Sequence, residues 1–197
     1  KEGLRFKVKV ENLTDGHNVP TGFAAERLVF LQVSVTDATG KVIFKSGDLD
    51  PNGDVRDHES AFVINGDLPL DNQLFDLRGR VLVTNSRGGE RERVIPVPYP
   101  ITTIPFLRPT TRSLILTGES PVERIHRRSL APLDYRWANY EVDGNLLTGK
   151  GPYKAKIDFI AGMAPANLIG AIKGQGFDYA MSAREVADNV AAGYEVL

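Results

Sequence analysis

The chain has 197 residues, 42% hydrophobic and 25% charged, with a formal net charge of -1 from 24 basic and 25 acidic residues. That balance excludes a basic nucleic-acid binder and an acidic solvating tail, and the longest apolar runs, such as Leu28 to Leu31, are far too short to span a bilayer. Cysteine is absent, so disulfides, thiolate metal sites, cysteine nucleophiles and covalent c-type haem attachment are all excluded within this chain.

The sequence opens at Lys1 directly on a strand pattern, as expected of a processed product or a piece of a longer chain. Residues 4 to 11 alternate, with Leu4, Phe6, Val8 and Val10 on one face and Arg5, Lys7, Lys9 and Glu11 on the other. This is a half-buried strand with one wet side. The stretch Gly16-His17-Asn18-Val19-Pro20-Thr21-Gly22 then bends the backbone and sets an imidazole on a turn. Arg27 to Thr36 reads as a second strand with Val29, Leu31, Val33 and Val35 on its core face and Gln32 and Ser34 on the other. Asp37-Ala38-Thr39-Gly40 is a turn by composition, and Lys41 to Lys45 returns as a hairpin partner.

Residues 46 to 60 are polar and turn-rich. Further short strands are expected at Phe62 to Ile64, Arg80 to Thr84, Arg91 to Val97, Arg112 to Thr117 and Tyr153 to Ile160, with Asn85 to Gly89 as a hairpin connection. Prolines at 96, 98, 100, 105 and 109 predict irregular edges and crossovers in the middle of the chain. Near the end, Pro165 opens a short helix through Lys173 that stops at Gly174. Ser182-Ala183-Arg184-Glu185 is a capping box for a second helix running to about Ala192, with Val186 and Val190 facing the body. The expected architecture is mainly β: an antiparallel, Ig-like β-sandwich over residues 1–160, with two short helices in a C-terminal extension over 161–197.

The most specific local pattern is Asp48-Leu49-Asp50-Pro51-Asn52-Gly53-Asp54, followed by Glu59. It satisfies the calcium-loop formula D-x-[DN]-x-[DN]-G-x5-E, in which alternate side chains supply the oxygens a hard cation needs. Strands rather than helices flank it and Pro51 sits inside it, so an EF-hand is excluded. Asp48, Asp50, Asn52, Asp54 and Glu59 remain candidate calcium ligands on another scaffold, beside the plainer reading of an acidic turn that caps its own backbone. His17, His58 and His126 lack zinc-like spacing. His126 lies in the basic cluster Arg124-Ile125-His126-Arg127-Arg128, suited to a solvated face or an anionic contact such as a haem propionate. No G-x-S-x-G elbow and no phosphate loop occurs, so no catalytic constellation supports an enzyme. Asn12-Leu13-Thr14 fits a glycosylation triplet, and Trp137 is expected as a core or interface anchor.

The Gly16–Gly22 stretch, Arg27, and Gly40-Lys41-Val42-Ile43-Phe44-Lys45-Ser46-Gly47 together resemble the haem-free C-terminal β-sandwich region of bacterial multihaem c-type cytochromes. The tail from Gly174 to Ala187, with Gly176-Phe177-Asp178-Tyr179 and Ser182 to Ala187, is similar to the end of the same proteins. The resemblance implies an exported, periplasmic or extracellular electron-transfer assembly. This chain holds no C-x-x-C-H motif, so haem c would belong to a partner polypeptide, in the same gene or a separate subunit. The resemblance therefore implies a non-enzymatic module packed against haem-bearing polypeptide, with His17 as an axial ligand in trans. The alternative is a calcium-stabilised β-sandwich for adhesion or ligand binding with no redox role.

Overall fold

A computed structural model describes residues 2–22, 27–84, 90–92, 123–126, 128–174 and 180–197. The chain is mainly strands in antiparallel sheets with a few short helices. Strand β1 (Leu4–Glu11) pairs with β7 (Tyr135–Val142) from Leu4 opposite Val142 to Glu11 opposite Tyr135. Strand β2 (Leu28–Thr36) lies between β3 (Val42–Ser46) and β8 (Lys154–Gly162), and β9 (Glu195–Val196) extends that sheet on β8. Strand β4 (Arg80–Thr84) pairs with β5 (Glu90–Glu92) and β6 (Glu123–His126).

The alternation in β1 is realised as expected: Val10 is buried, Phe6 and Val8 are half-buried, and the charged residues between them are exposed. This apolar face, with Ala138 and Tyr140 of β7, packs on Val29, Leu31 and Val33 of β2 together with Leu77 and Leu130. Phe6 stacks on Tyr140 at 5.3 Å, and Phe44 meets the same ring edge-on at 6.4 Å. Pairs of this kind contribute about 0.5–1.5 kcal/mol beyond their burial.

Strand β2 differs from the expected one-sided strand. Leu28 and Phe30 on its other face are also fully buried, against Val55 and Ile160 with Leu49, Leu74 and Tyr194 alongside. The C-terminal segment contributes to that second cover: Tyr194 sits edge-on to Phe30 at 6.1 Å. The two helices expected there form as α2 (Ala166–Gly174) and α3 (Ala183–Ala192). Ser182 and Glu185 close the reciprocal capping box, and Val186 and Ala187 are buried.

One expected strand is a helix. Phe62 to Ile64 belong to the single turn α1 (Ala61–Ile64), because the Ser60 hydroxyl accepts from the Val63 amide and caps it. Three apolar residues carry little strand preference of their own, so the cap decides. Strand β7 has no clear signal in the sequence because Tyr135 and Trp137 point outward and Arg136 inward, which masks its alternation. The expected strand at Arg91 to Val97 is described only as far as Glu92. Arg112 to Thr117, the Asn85–Gly89 connection and the five middle prolines lie outside the described residues.

Candidate functional site

The turn after β1 is built around Asn12, only 3% exposed. Its amide donates to the carbonyls of His17 at 2.7 Å, Ala131 at 3.1 Å and Leu130 at 3.3 Å. Its side-chain oxygen accepts from the Thr14 amide and hydroxyl at 3.1 and 2.8 Å. The Thr14 hydroxyl also reaches the His17 carbonyl at 3.2 Å. Beyond His17, Val19 and Leu130 exchange both backbone bonds at 2.9 and 2.8 Å, ahead of a cis Val19–Pro20 peptide. Arg136 holds the facing segment from behind by donating to the carbonyls of Arg128 and Ser129. The backbone of His17 is therefore clamped, while its imidazole is exposed and has no hydrogen-bond partner among the described residues.

Two large apolar side chains stand beside this turn. Leu13 is 80% exposed and Leu133 66% exposed, and the Leu133 amide donates to the Thr14 carbonyl at 3.1 Å. Leu133 has φ +57°, a left-handed conformation that a bulky residue adopts at a cost of about 1 kcal/mol or more. In the sequence Asn12 stands out only as part of a glycosylation triplet. In the fold its amide nitrogen is consumed by three carbonyls, so that nitrogen is not open to a glycan.

His126 lies on β6 opposite Arg80 of β4 and is exposed, and His58 is exposed in the loop before α1. Neither shares the His17 turn.

In the acidic loop the five candidate calcium ligands are placed apart in function. Asp48 is bound by the Arg56 guanidinium, with Nη2 at 2.6 Å and Nε at 3.1 Å. Asp50 is buried: one oxygen accepts from the amides of Asn52 and Asp54 at 2.8 and 3.1 Å, and the other from the Ser60 hydroxyl at 2.6 Å. Asn52 is exposed, Asp54 accepts from the Asn167 amide at 3.0 Å, and Glu59 is ion-paired to Arg78. Among the described residues no three histidine, aspartate or glutamate side chains converge as a metal ion requires. The donor set as placed does not fit a calcium cage.

What the loop joins is a buried ionic lattice. Arg80 bridges Asp57 at 2.8 Å and Asp76 at 2.5 Å, and Arg128 reaches the other Asp76 oxygen at 3.0 Å. The Asp76 side chain is 1% exposed. The sequence signal, Asp76-Leu77-Arg78-Gly79-Arg80, has strand alternation with charges on one face, which reads as a solvated face rather than a buried one. The loop also seats the C-terminal segment. Asn167 binds Asp54 and the Glu59 carbonyl, Arg184 binds the Pro51 carbonyl at 3.1 Å, and the Tyr194 hydroxyl donates to the Gly53 carbonyl at 3.0 Å. Gly53 has φ +84° and lies so close to α3 that a Cβ would sit 3.2 Å from the Ala187 carbonyl.

Burial pushes the Asp54 carboxyl up to about 7, with Asp50 and Asp57 adding to the rise and the Asn167 amide and Arg78 opposing it. Burial likewise pushes the Tyr194 hydroxyl well above the usual phenol range, with Asp54 contributing. A carboxyl that carries its proton near neutrality is a candidate acid on chemical grounds. This one is buried, with the Asn167 amide of α2 donating to it.

No protein-family model matches the chain, and no curated protein matches it. A solved structure to which the chain is similar is a penta-haem cytochrome c552 from Thermochromatium tepidum, at 18% identity and a TM-score of 0.46. The match covers 88% of this chain and 32% of that cytochrome, so this chain spans about a third of its length.

Proposed function

We propose that the chain is a haem-free structural module of an exported multihaem cytochrome assembly, packed against haem-bearing polypeptide, with His17 as an axial ligand in trans. The observation that carries this reading is the His17 turn. Its backbone is clamped by Asn12 and Thr14 while its imidazole stays exposed. A ligand to a neighbouring iron needs a fixed backbone and a free ring nitrogen, so that binding costs little ordering. The sequence resemblance carried by Gly16 to Gly22 and by the tail supplies the haem context. Exposed Leu13 and Leu133 beside the turn suit contact with an apolar haem edge.

In this reading the module is not an enzyme, it adopts an Ig-like sandwich, and it works in the periplasm or outside the cell. His126 would contribute no more than a contact to a haem propionate. The test is purification of the chain from its native source under conditions that keep complexes together. A haem Soret band that co-elutes with this chain supports the reading. A colourless, stable monomer would overturn it and favour an adhesion or ligand-binding module.

A further inference from the structure

Away from the His17 turn, the outward face of the β1–β7 ribbon carries a second arrangement. A groove of about 660 Å3 opens along it, within the size range of small-ligand sites. Its polar lining comprises Arg5, Lys7, Gln73, Asn139, Glu141 and Asp143; Phe6 and Tyr140 of the inner face also line it, and Trp137 lies beyond its end. Some of these groups are committed. Arg5 pairs with Glu141 at 2.7 Å, and the Gln73 amide clamps the Glu141 backbone with bonds of 3.0 and 2.7 Å. Those bonds make a rigid wall.

Lys7 and Asn139 face each other across the ladder, and among the described residues neither side chain has a hydrogen-bond or ionic partner. Two residues before Asn139 on the same exposed face, roughly 7 Å along the strand, stands Trp137, 50% exposed. Tyr135 meets it edge-on at 6.3 Å, and Lys9 Nζ lies 4.6 Å over the Tyr135 ring. The tyrosine is thus occupied in bracing the indole, whose own surface remains half open.

We infer that this face binds a neutral oligosaccharide, one sugar ring lying on Trp137 and the next hydrogen-bonded by Asn139 and Lys7. An indole offers an apolar face to the axial C–H groups of a pyranose. An amide both donates and accepts, and an ammonium donates, which matches hydroxyls that do both. The charge of the groove argues against other ligands. Its two cations and two carboxylates cancel, so it lacks the cationic excess that nucleic acid or a polyanion requires.

Trp137 is the chain's single tryptophan, so its emission reports the site alone. The full chain is titrated separately with cellohexaose, xylohexaose and chitohexaose, and with dextran sulfate as the charged comparison. A saturable emission shift with at least one neutral hexasaccharide is expected. Calorimetry should then show at least a tenfold loss of affinity in Trp137→Ala and at least a fivefold loss in Asn139→Ala. Both side chains are exposed, so melting curves should match the parent, and Asn139→Ala decides alone if the tryptophan variant does not fold. Flat emission with all three sugars to millimolar concentration overturns the inference. So does stronger binding of dextran sulfate, or sugar affinity unchanged in Asn139→Ala.

Discussion

The His17 turn and the acidic loop are both polar segments whose sequence advertises ligand chemistry, yet the fold uses them in opposite ways. In the loop, the advertised side chains are themselves the structural parts. Asp50 holds its own turn and Ser60, while Asp54 receives the amide of Asn167 and Glu59 is paired with Arg78. In the turn, a different residue does the structural work: Asn12 binds three carbonyls and leaves the imidazole of His17 outside the network. A ligand-like residue is available for function where a neighbour takes over its share of the backbone bonding. The motif alone does not distinguish the two cases.

The sharpest way to break this contrast is to remove a cation from the lattice under the loop. Arg80→Ala leaves Asp57 and Asp76 buried with part of their compensation gone, and should cost about 3–5 kcal/mol in chemical denaturation. A loss under about 1 kcal/mol would mean that water reaches the lattice.

Next in size is the pH response of Asp54. Its carboxyl rises from an ordinary 3.8 to about 7, so the folded state holds the proton more tightly than the unfolded state. The stability linked to this group is fully present below about pH 4 and is lost as pH rises through about 7, by at most ~4 kcal/mol. Asp54→Asn keeps an oxygen for the Asn167 amide and should remove this slope, leaving the variant more stable than the parent at about pH 8. Parallel stability–pH curves for the two proteins would contradict the assignment.

The turn has its own pair of variants. Asn12→Ala strips donors from three carbonyls and should cost about 2–3 kcal/mol, whereas His17→Ala should change stability by less than about 0.5 kcal/mol. Equal losses would show that the histidine is structural. Smallest is the effect of a chelator: with its carboxylates already engaged, the chain should melt at the same temperature with and without EGTA. A drop from calcium-saturated protein would instead restore the acidic loop as a calcium site.

These regions also mark where sequence reasoning reaches the fold and where it stops. Strand β1, the core face of β2 and the capped helix α3 are legible, because strict alternation and the Ser182–Glu185 box are local signals. The burial of Leu28 and Phe30 on the opposite face of β2 is not, since Tyr194 covers Phe30 from the far end of the chain. The stretch at Phe62 to Ile64 reads as a strand only while its cap, Ser60, is counted among the loop residues. At the site, the glycines and proline around His17 mark it as a turn residue, and the fold leaves it exposed on that turn. Part of its support has no local signal, because the bonds from Asn12 to Leu130 and Ala131 span more than a hundred residues. The buried lattice is hidden for the same reason: Asp57, Asp76, Arg80 and Arg128 look like surface charges until the fold brings them together.

The most direct test of the His17 assignment is the absorption spectrum and redox titration of the natively assembled complex carrying His17→Ala. Loss of the axial imidazole should convert one haem from a low-spin to a high-spin spectrum and move one midpoint potential, with all other haems unchanged. Spectra and potentials identical to those of the parent assembly, with the variant chain still bound, would contradict the account.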